Sequence, residues 1–279
     1  MTPYDFIWQA AAILALGALG VWVCEAVAKG ESDRHFPAQL KRARHLYLAF
    51  PILSVLPWAN VYVATHLSIQ WNMPEWLQLH WAAVSWGIVS ATLAYVFGFC
   101  SAVAWASEKW GRRLPAVFSV AVLLAIQFYA AWSSRPNLPA LDDWTTPDGI
   151  VLQTSDYTCV PASGATIASI LGVHATEKQL AVLFHTTRDG TFPASALSGM
   201  RQLGIEGRKV SAVGGDIRAV HPPAMLFFVN DTHAVVFAGI TSDGLVEIWN
   251  PSQGKTFFSE NALNRVWTGH ALEFHRAGK

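Results

Sequence analysis

The sequence has little charge and few cysteines. Lys, Arg, Asp and Glu make up only 14% of the 279 residues, whereas 52% are hydrophobic and the mean hydropathy is +0.30. So small a charged fraction argues against an ordinary soluble protein and favours a membrane protein. The 19 basic residues balance the 19 acidic ones, so no basic excess predicts nucleic-acid binding. Three cysteines are too few for a disulfide framework, and no nucleotide-binding motif occurs.

Four long apolar runs occupy the first half of the chain. They cover residues 6–28, 46–67, 81–106 and 114–133, and each reaches or approaches the ~20 residues that cross a bilayer as a helix. The segment before the first run lacks basic residues, and no small-x-small cleavage pattern follows, so this run is not expected to be a signal peptide. Residues 1–133 are therefore predicted to be an all-α transmembrane region with four helices.

Lysine and arginine fall on alternate loops of this region. The loop between the first two runs carries five of them and the loop between the last two carries three, whereas residues 68–80 carry none. By the positive-inside rule both basic loops are cytoplasmic, which places both termini outside. Trp71, Trp76 and Trp81 fall where an interfacial aromatic belt is expected. We expect a multi-pass protein of a bacterial inner membrane, with its C-terminal half on the extracytoplasmic side.

The composition changes after Trp132. Residues 134–144 contain two prolines and are predicted to be a linker, and residues 145–279 are long enough for a domain with its own core. Predicted helices cover 161–171, 176–184, 193–203 and a stretch near 259–266, and predicted strands cover 224–229, 234–240, 245–249 and 271–275. Helices followed by strands of an antiparallel sheet indicate an α+β domain.

One cysteine of this domain is placed for chemistry. Cys159 precedes Pro161 and an apolar stretch of helical spacing that ends at Gly172, so its sulfur is predicted at a helix N-terminus, where a thiolate is favoured. Cys24 and Cys100 lie within predicted membrane helices, which leaves Cys159 without a disulfide partner. A lone cysteine at a helix start is more often structural. An enzyme would also need a base, an orienting group and an oxyanion donor.

The remaining parts of such a site can be identified by spacing. His233 opens an apolar strand, and Asn250 ends the next strand 17 residues later, so a hairpin would bring the two together. The imidazole would then take the proton of Cys159 while the Asn250 side chain holds its other nitrogen. Gln153 lies six residues before the cysteine. Its side-chain amide and the Cys159 backbone N–H could form an oxyanion hole.

Several stretches together carry a family resemblance. QTSDYTCVPASGATIASILG, the DGT at 189–191, PPAMLFFVNDTHAVVF and IWNPSQG resemble the bacteriocin-processing cysteine peptidases, papain-like domains that cut double-glycine leader peptides. The resemblance covers roughly residues 150–275. It implies a papain-like fold with Cys159 as nucleophile, His233 as general base, Asn250 as orienter and Gln153 in the oxyanion hole. In that family glycine often follows the nucleophile, where Val160 stands here, and the orienter is usually aspartate.

The expected function is that of a membrane-anchored cysteine endopeptidase that hydrolyses a polypeptide outside the cytoplasm. Its expected partners are the polypeptide substrate, the lipid bilayer and further membrane or secreted proteins, with no nucleic acid and no nucleotide. No cofactor is expected. No metal is expected either, because the histidines of the domain lack ligand spacing with a second cysteine or carboxylate. Two alternatives stay open: a non-catalytic peptide-binding module on a membrane anchor, and a thiol-dependent acyl or amide transferase.

Overall fold

The computed structural model describes residues 71–81, 136–142, 144–212, 215–228 and 233–278. All of these except residues 80 and 81 belong to one compact unit, made of Val63–Leu79 and Ser134–Lys279. Within the described ranges no helix is both long enough and apolar enough to cross a membrane. The predicted spans 6–28, 46–67, 81–106 and 114–133 lie outside the described residues, apart from Trp81.

The compact unit is an α+β domain. The helices are α1 (Cys159–Ile170), α2 (Glu177–Leu183), α3 (Pro193–Gln202) and α4 (Glu260–Leu263). The strands are β1 (Trp144–Thr145), β2 (Val151–Leu152), β3 (Ile205–Ser211), β4 (Ala224–Phe228), β5 (His233–Ile240), β6 (Val246–Asn250), β7 (Gly254–Phe258) and β8 (Trp267–Arg276).

Six strands form one antiparallel sheet. Their order is β3-β8-β4-β5-β6-β7, and β1 pairs separately with β2. The turn predicted between β5 and β6 is present: the Thr241 N–H donates to the Leu245 carbonyl, and the Gly244 N–H donates to the Thr241 carbonyl. The last strand, β8, runs between β3 and β4, so it is an inner strand of the sheet. The predicted α+β class with an antiparallel sheet is confirmed.

Alternate residues of the central strands face two different cores. On β5, Ala234 and Val236 belong to the core shared with α1, α2 and α3, and Val235 and Phe237 belong to the core that contains Leu263 of α4. This is the two-residue period of a strand covered on both faces. Because β5 is buried on both sides, the residue at its start is held in a fixed position.

The helix α1 is the centre of the first core. Every residue from Cys159 to Ala168 is buried. The helix begins at Cys159, two residues before the predicted start, because Pro161 is tolerated in a first turn. It ends at Ile170, one residue before the predicted end, and the φ of 74° at Gly172 allows the Gly172 and Val173 N–H groups to close the last turn.

Four strands were not predicted: the two-residue strands β1 and β2, and the edge strands β3 and β7. The edge strands β3 and β7 carry polar and glycine residues, IEGRKVS and GKTFF, and neither shows a long apolar alternation. These segments are strands because they pair with β8 and β6, and such pairing is not visible in their own sequences. The capping box predicted for α2 is present, since Gln179 N–H donates to Thr176 Oγ1 and Thr176 N–H donates to Gln179 Oε1.

A segment from the first half of the chain packs on this domain. Trp71 is only 8% exposed, its Nε1 donates to Ser211 Oγ at 2.8 Å, and its ring stacks on His270 at 4.5 Å. Gln78 accepts the N–H of Ala194 at the start of α3 at 3.2 Å. The interpretation of Trp71 as a membrane-belt residue is therefore wrong, because its ring is buried against β3 and β8.

Candidate active site

Cys159 is the first residue of α1, and its thiol is buried. The preceding residue, Thr158, does not cap the helix with its side chain. Its hydroxyl instead donates to the Ser155 carbonyl at 2.8 Å and accepts the Ser155 N–H at 3.1 Å. The first N–H groups of α1 are thus left without a side-chain cap, directly beside the sulfur. Such N–H groups stabilise negative charge.

The helix and the strand β5 meet at Ala234. The Ala234 N–H donates to the Cys159 sulfur, and the Ala234 carbonyl accepts the Ser163 hydroxyl at 3.2 Å. Cys159 and Ser163 are four residues apart and therefore lie on one face of α1. The N–H and the carbonyl of Ala234 therefore both bond to this face of α1, and Ala234 directly follows His233. The Cys159 thiol is thus hydrogen-bonded to the residue that follows His233 on β5.

Burial decides the protonation of the thiol. It raises the pKa of Cys159 above its ordinary value, and the backbone hydrogen bonds from Ala234, Val160 and Cys159 only partly oppose this. The sequence predicted a thiolate at a helix start. The buried position favours the neutral thiol instead, because desolvation of the charged form outweighs the N–H groups around it. Deprotonation of Cys159 therefore needs a base.

The His233 ring is bound to Asn250. His233 Nε2 lies 2.8 Å from Asn250 Oδ1, and Ser252 donates to the same oxygen through its N–H at 2.9 Å and its hydroxyl at 2.8 Å. The Ser252 N–H identifies that atom as the amide oxygen, which can only accept. His233 Nε2 must then carry a hydrogen, so in the neutral ring the lone pair is on Nδ1. This is the tautomer that a general base requires at Nδ1.

Gln153 lies at the end of β2, beside the Asn250 loop. Its backbone N–H donates to the Pro251 carbonyl at 2.8 Å. Its side-chain Nε2 donates to the Ser155 carbonyl at 3.1 Å, which uses one of the two amide hydrogens. The amide oxygen Oε1 is buried and accepts no hydrogen bond from the described residues. A single side-chain contact therefore orients this amide.

Two residues of this site were not identified from the sequence. Ser252 follows Asn250-Pro251, and an Asn whose side chain accepts the N–H two residues on is an Asx turn, which Asn-Pro signals. Ser163 has no such signal, because its partner is a backbone carbonyl 71 residues away. Within the described residues, no group of three or more His, Cys, Asp or Glu side chains is arranged to hold a metal ion.

Comparison with known proteins identifies the family of this domain. The family model of the peptidase C39 family matches residues 148–279. An uncharacterised protein of Methanothermobacter thermautotrophicus is 31% identical over 130 residues, which is 46% of this chain and 88% of that protein. An uncharacterised protein of Methanothermobacter marburgensis is 29% identical over 127 residues, which is 46% of this chain and 88% of that protein. The chain therefore belongs, through residues 148–279, to the peptidase C39 family, and this implies a cysteine peptidase.

Solved structures of double-glycine peptidase domains are also similar to it. A double-glycine motif protease from an AMS/PCAT transporter, in complex with its leader peptide, has 20% identity and a TM-score of 0.43, over 50% of this chain and 94% of that one. The peptidase domain of Streptococcus ComA, a bifunctional ABC transporter, has 23% identity and a TM-score of 0.41, over 45% of this chain and 96% of that one.

Proposed function

We propose that this protein is a membrane-anchored cysteine endopeptidase that hydrolyses a peptide bond of a polypeptide on the extracytoplasmic side. Cys159 is the nucleophile, His233 the general base, Asn250 the orienter and Gln153 an oxyanion donor. The proposal is supported by membership of the peptidase C39 family and by the tautomer of His233 that its bond to Asn250 requires.

The reaction begins with proton transfer. His233 Nδ1 takes the Sγ proton of Cys159 as the sulfur attacks the substrate carbonyl carbon, because the buried thiol is neutral at rest. The carbonyl oxygen becomes an oxyanion that accepts the Cys159 backbone N–H and the second Nε2 hydrogen of Gln153. His233 returns the proton to the leaving amine as the C–N bond breaks, which leaves the acyl group on the Cys159 sulfur as a thioester. Water, deprotonated by His233, then hydrolyses the thioester and regenerates the thiol.

The extracytoplasmic side follows from the distribution of charge. Eight lysines and arginines occupy the two loops assigned to the cytoplasm, and the domain follows the fourth predicted span. The packing of residues 71–79 on the domain supports the predicted number of spans between them. In the predicted arrangement these residues join the second and third spans. Two spans then separate them from the domain, so both lie on the same side of the membrane.

The contact at Ala234 is the observation that carries the proposed chemistry, since it sets the Cys159 thiol beside the residue that follows His233. A peptidyl chloromethyl ketone, which alkylates activated thiols, tests it on the full chain. Wild-type Cys159 should be labelled faster than an ordinary buried thiol, and His233→Ala should remove that advantage. Equal labelling of the two proteins would instead favour a peptide-binding module without catalysis.

A further inference from the structure

Glu177 is a fully buried carboxylate beside the site. It is the first residue of α2 and its exposed fraction is 0%. Its Oε1 accepts the Thr154 N–H at 3.0 Å, and its Oε2 accepts the Thr154 hydroxyl at 2.9 Å. Each carboxylate oxygen thus binds a different group of one residue. The contact joins α2 to the loop between β2 and Cys159, 23 residues earlier in the chain.

The side chain is not needed to begin α2. The capping box of Thr176 and Gln179 already provides the side-chain cap of that helix. A carboxylate taken into the interior loses hydration that only strong hydrogen bonds offset. A buried acidic residue that bonds the loop before Cys159 therefore points to a requirement of that loop.

That loop carries Gln153, whose side chain is weakly held. One bond of 3.1 Å to Ser155 orients its amide, so the amide direction depends on the backbone of residues 153–155. The Pro251 carbonyl holds this backbone at the Gln153 N–H. Glu177 holds it at the next N–H, that of Thr154. The two contacts fix the peptide plane on each side of Gln153.

We propose that Glu177 is a positioning residue that acts through Thr154 to aim the Gln153 amide at the oxyanion. This inference rests on the proposed function, in which Gln153 donates to the oxyanion. It predicts an effect on acyl transfer and no effect on reactions of Cys159 that form no oxyanion. Alkylation by iodoacetamide is such a reaction, because sulfur displaces iodide at a saturated carbon.

The test compares acylation with alkylation in the full chain. Acylation by an N-acetyl dipeptide p-nitrophenyl ester gives kcat and KM, and iodoacetamide gives the intrinsic thiol reactivity. Glu177→Ala should lower kcat about tenfold or more, leave KM within about twofold and leave alkylation unchanged, since oxyanion donors act on the transition state. Glu177→Gln should restore most of kcat, because its amide oxygen still accepts the Thr154 N–H. Glu260→Ala, which removes a partly exposed first-turn glutamate of α4 that pairs with Arg218, is the matched control and should behave as wild type.

The double variant separates positioning from general structural support. If Glu177 acts through Gln153, Gln153→Ala combined with Glu177→Ala should be no slower than Gln153→Ala alone. Additive losses, or a parallel loss of alkylation in Glu177→Ala and Glu177→Gln, would overturn the inference.

Hydrogen exchange distinguishes failure of this inference from failure of the proposed function. The Thr154 amide should exchange faster in Glu177→Ala than in wild type or Glu260→Ala, whether or not the protein is a peptidase. Unchanged exchange at Thr154 overturns the positioning role alone. A wild-type protein that never acylates, with faster Thr154 exchange in Glu177→Ala, overturns the proposed function instead.

Discussion

At the scale of single residues, the Asn250 side-chain oxygen lies within hydrogen-bonding distance of three donors. These are His233 Nε2 and the N–H and hydroxyl of Ser252, at 2.8, 2.9 and 2.8 Å. Three donors around one oxygen suit a carboxylate at least as well as an amide, because charged acceptors form stronger hydrogen bonds. The Asn250 position therefore accommodates the aspartate that is usual in the family it resembles.

Substitution of Asn250 tests this arrangement. Asn250→Asp should keep acylation within about tenfold of wild type, whereas Asn250→Ala should lose roughly 10²-fold, because His233 would lose the partner that fixes its tautomer and ring. Ser252→Ala is the matched control: it keeps the backbone donor and should cost less than Asn250→Ala. Single-turnover acylation measures all three. Wild-type rates in Asn250→Ala would remove Asn250 from the site.

The pH dependence of alkylation tests the burial of Cys159. Burial raises the pKa of this thiol above its ordinary value of 9.0, so without a base the thiol stays neutral until the pH exceeds that value. The iodoacetamide rate of His233→Ala should therefore still be rising with pH at pH 9.0, because the thiolate fraction grows until the pH passes the pKa. Wild type should not require this alkaline range, because His233 accepts the proton. A plateau of the His233→Ala rate below pH 9.0 would contradict the raised pKa.

The site residues differ in how far the sequence could identify them. Gln153, Cys159, His233 and Asn250 have residue types and spacings that suggest chemistry, and the hairpin β5–β6 explains why the last two meet. Glu177 could not be found in this way. Its partner is the backbone and hydroxyl of Thr154, and its exposure is set by how α2 packs, neither of which has a residue-type signature.

At the scale of elements, local signals located helices and hairpins better than edge strands. The Thr176 and Gln179 cap and the Thr241–Gly244 turn depend on neighbouring residues, so the sequence predicted them. The strand β3 depends on β8, which begins 56 residues after β3 ends, and its polar residues are satisfied across that pairing: Arg208 bonds Glu273 at 2.7 Å. Contacts of such long range leave little trace in local periodicity.

The role of Trp71 was mispredicted for a related reason. The segment 71–79 contains two tryptophans that the sequence does not distinguish. Trp71 is buried against β3 and β8, whereas Trp76 is 62% exposed. Only tertiary contacts distinguish them.

Substituting each tryptophan measures this difference. Trp71→Ala should remove about 3–5 kcal/mol of local packing, so amides of β3 and β8 should exchange roughly 10²-fold faster or more. Trp76→Ala is the matched control in the same segment and should leave those amides nearly unchanged, because its ring is mostly exposed. Both variants are measured by amide hydrogen exchange of the full chain in detergent. Equal, small effects would show that the segment is not part of the domain.

At the scale of the whole molecule, the distribution of charge predicts the side on which the domain lies. Added protease in intact spheroplasts should digest residues 134–279 and spare the loop 29–45, since the basic loops are predicted to face the cytoplasm. Digestion in lysed cells is the control for accessibility of the loop. Protection of the domain in spheroplasts, with cleavage of the loop, would reverse the orientation.

Formation of an acyl-enzyme at Cys159 is the central claim for the molecule as a whole. Mass spectrometry after reaction of the full chain with the N-acetyl dipeptide p-nitrophenyl ester should find one acyl group on wild type, carried by Cys159. Cys159→Ala should carry no acyl group and should not turn over the ester. Unchanged hydrogen exchange of its β4 and β5 amides, compared with wild type, is the expected sign that this variant is folded. Turnover by Cys159→Ala at the wild-type rate would contradict the account.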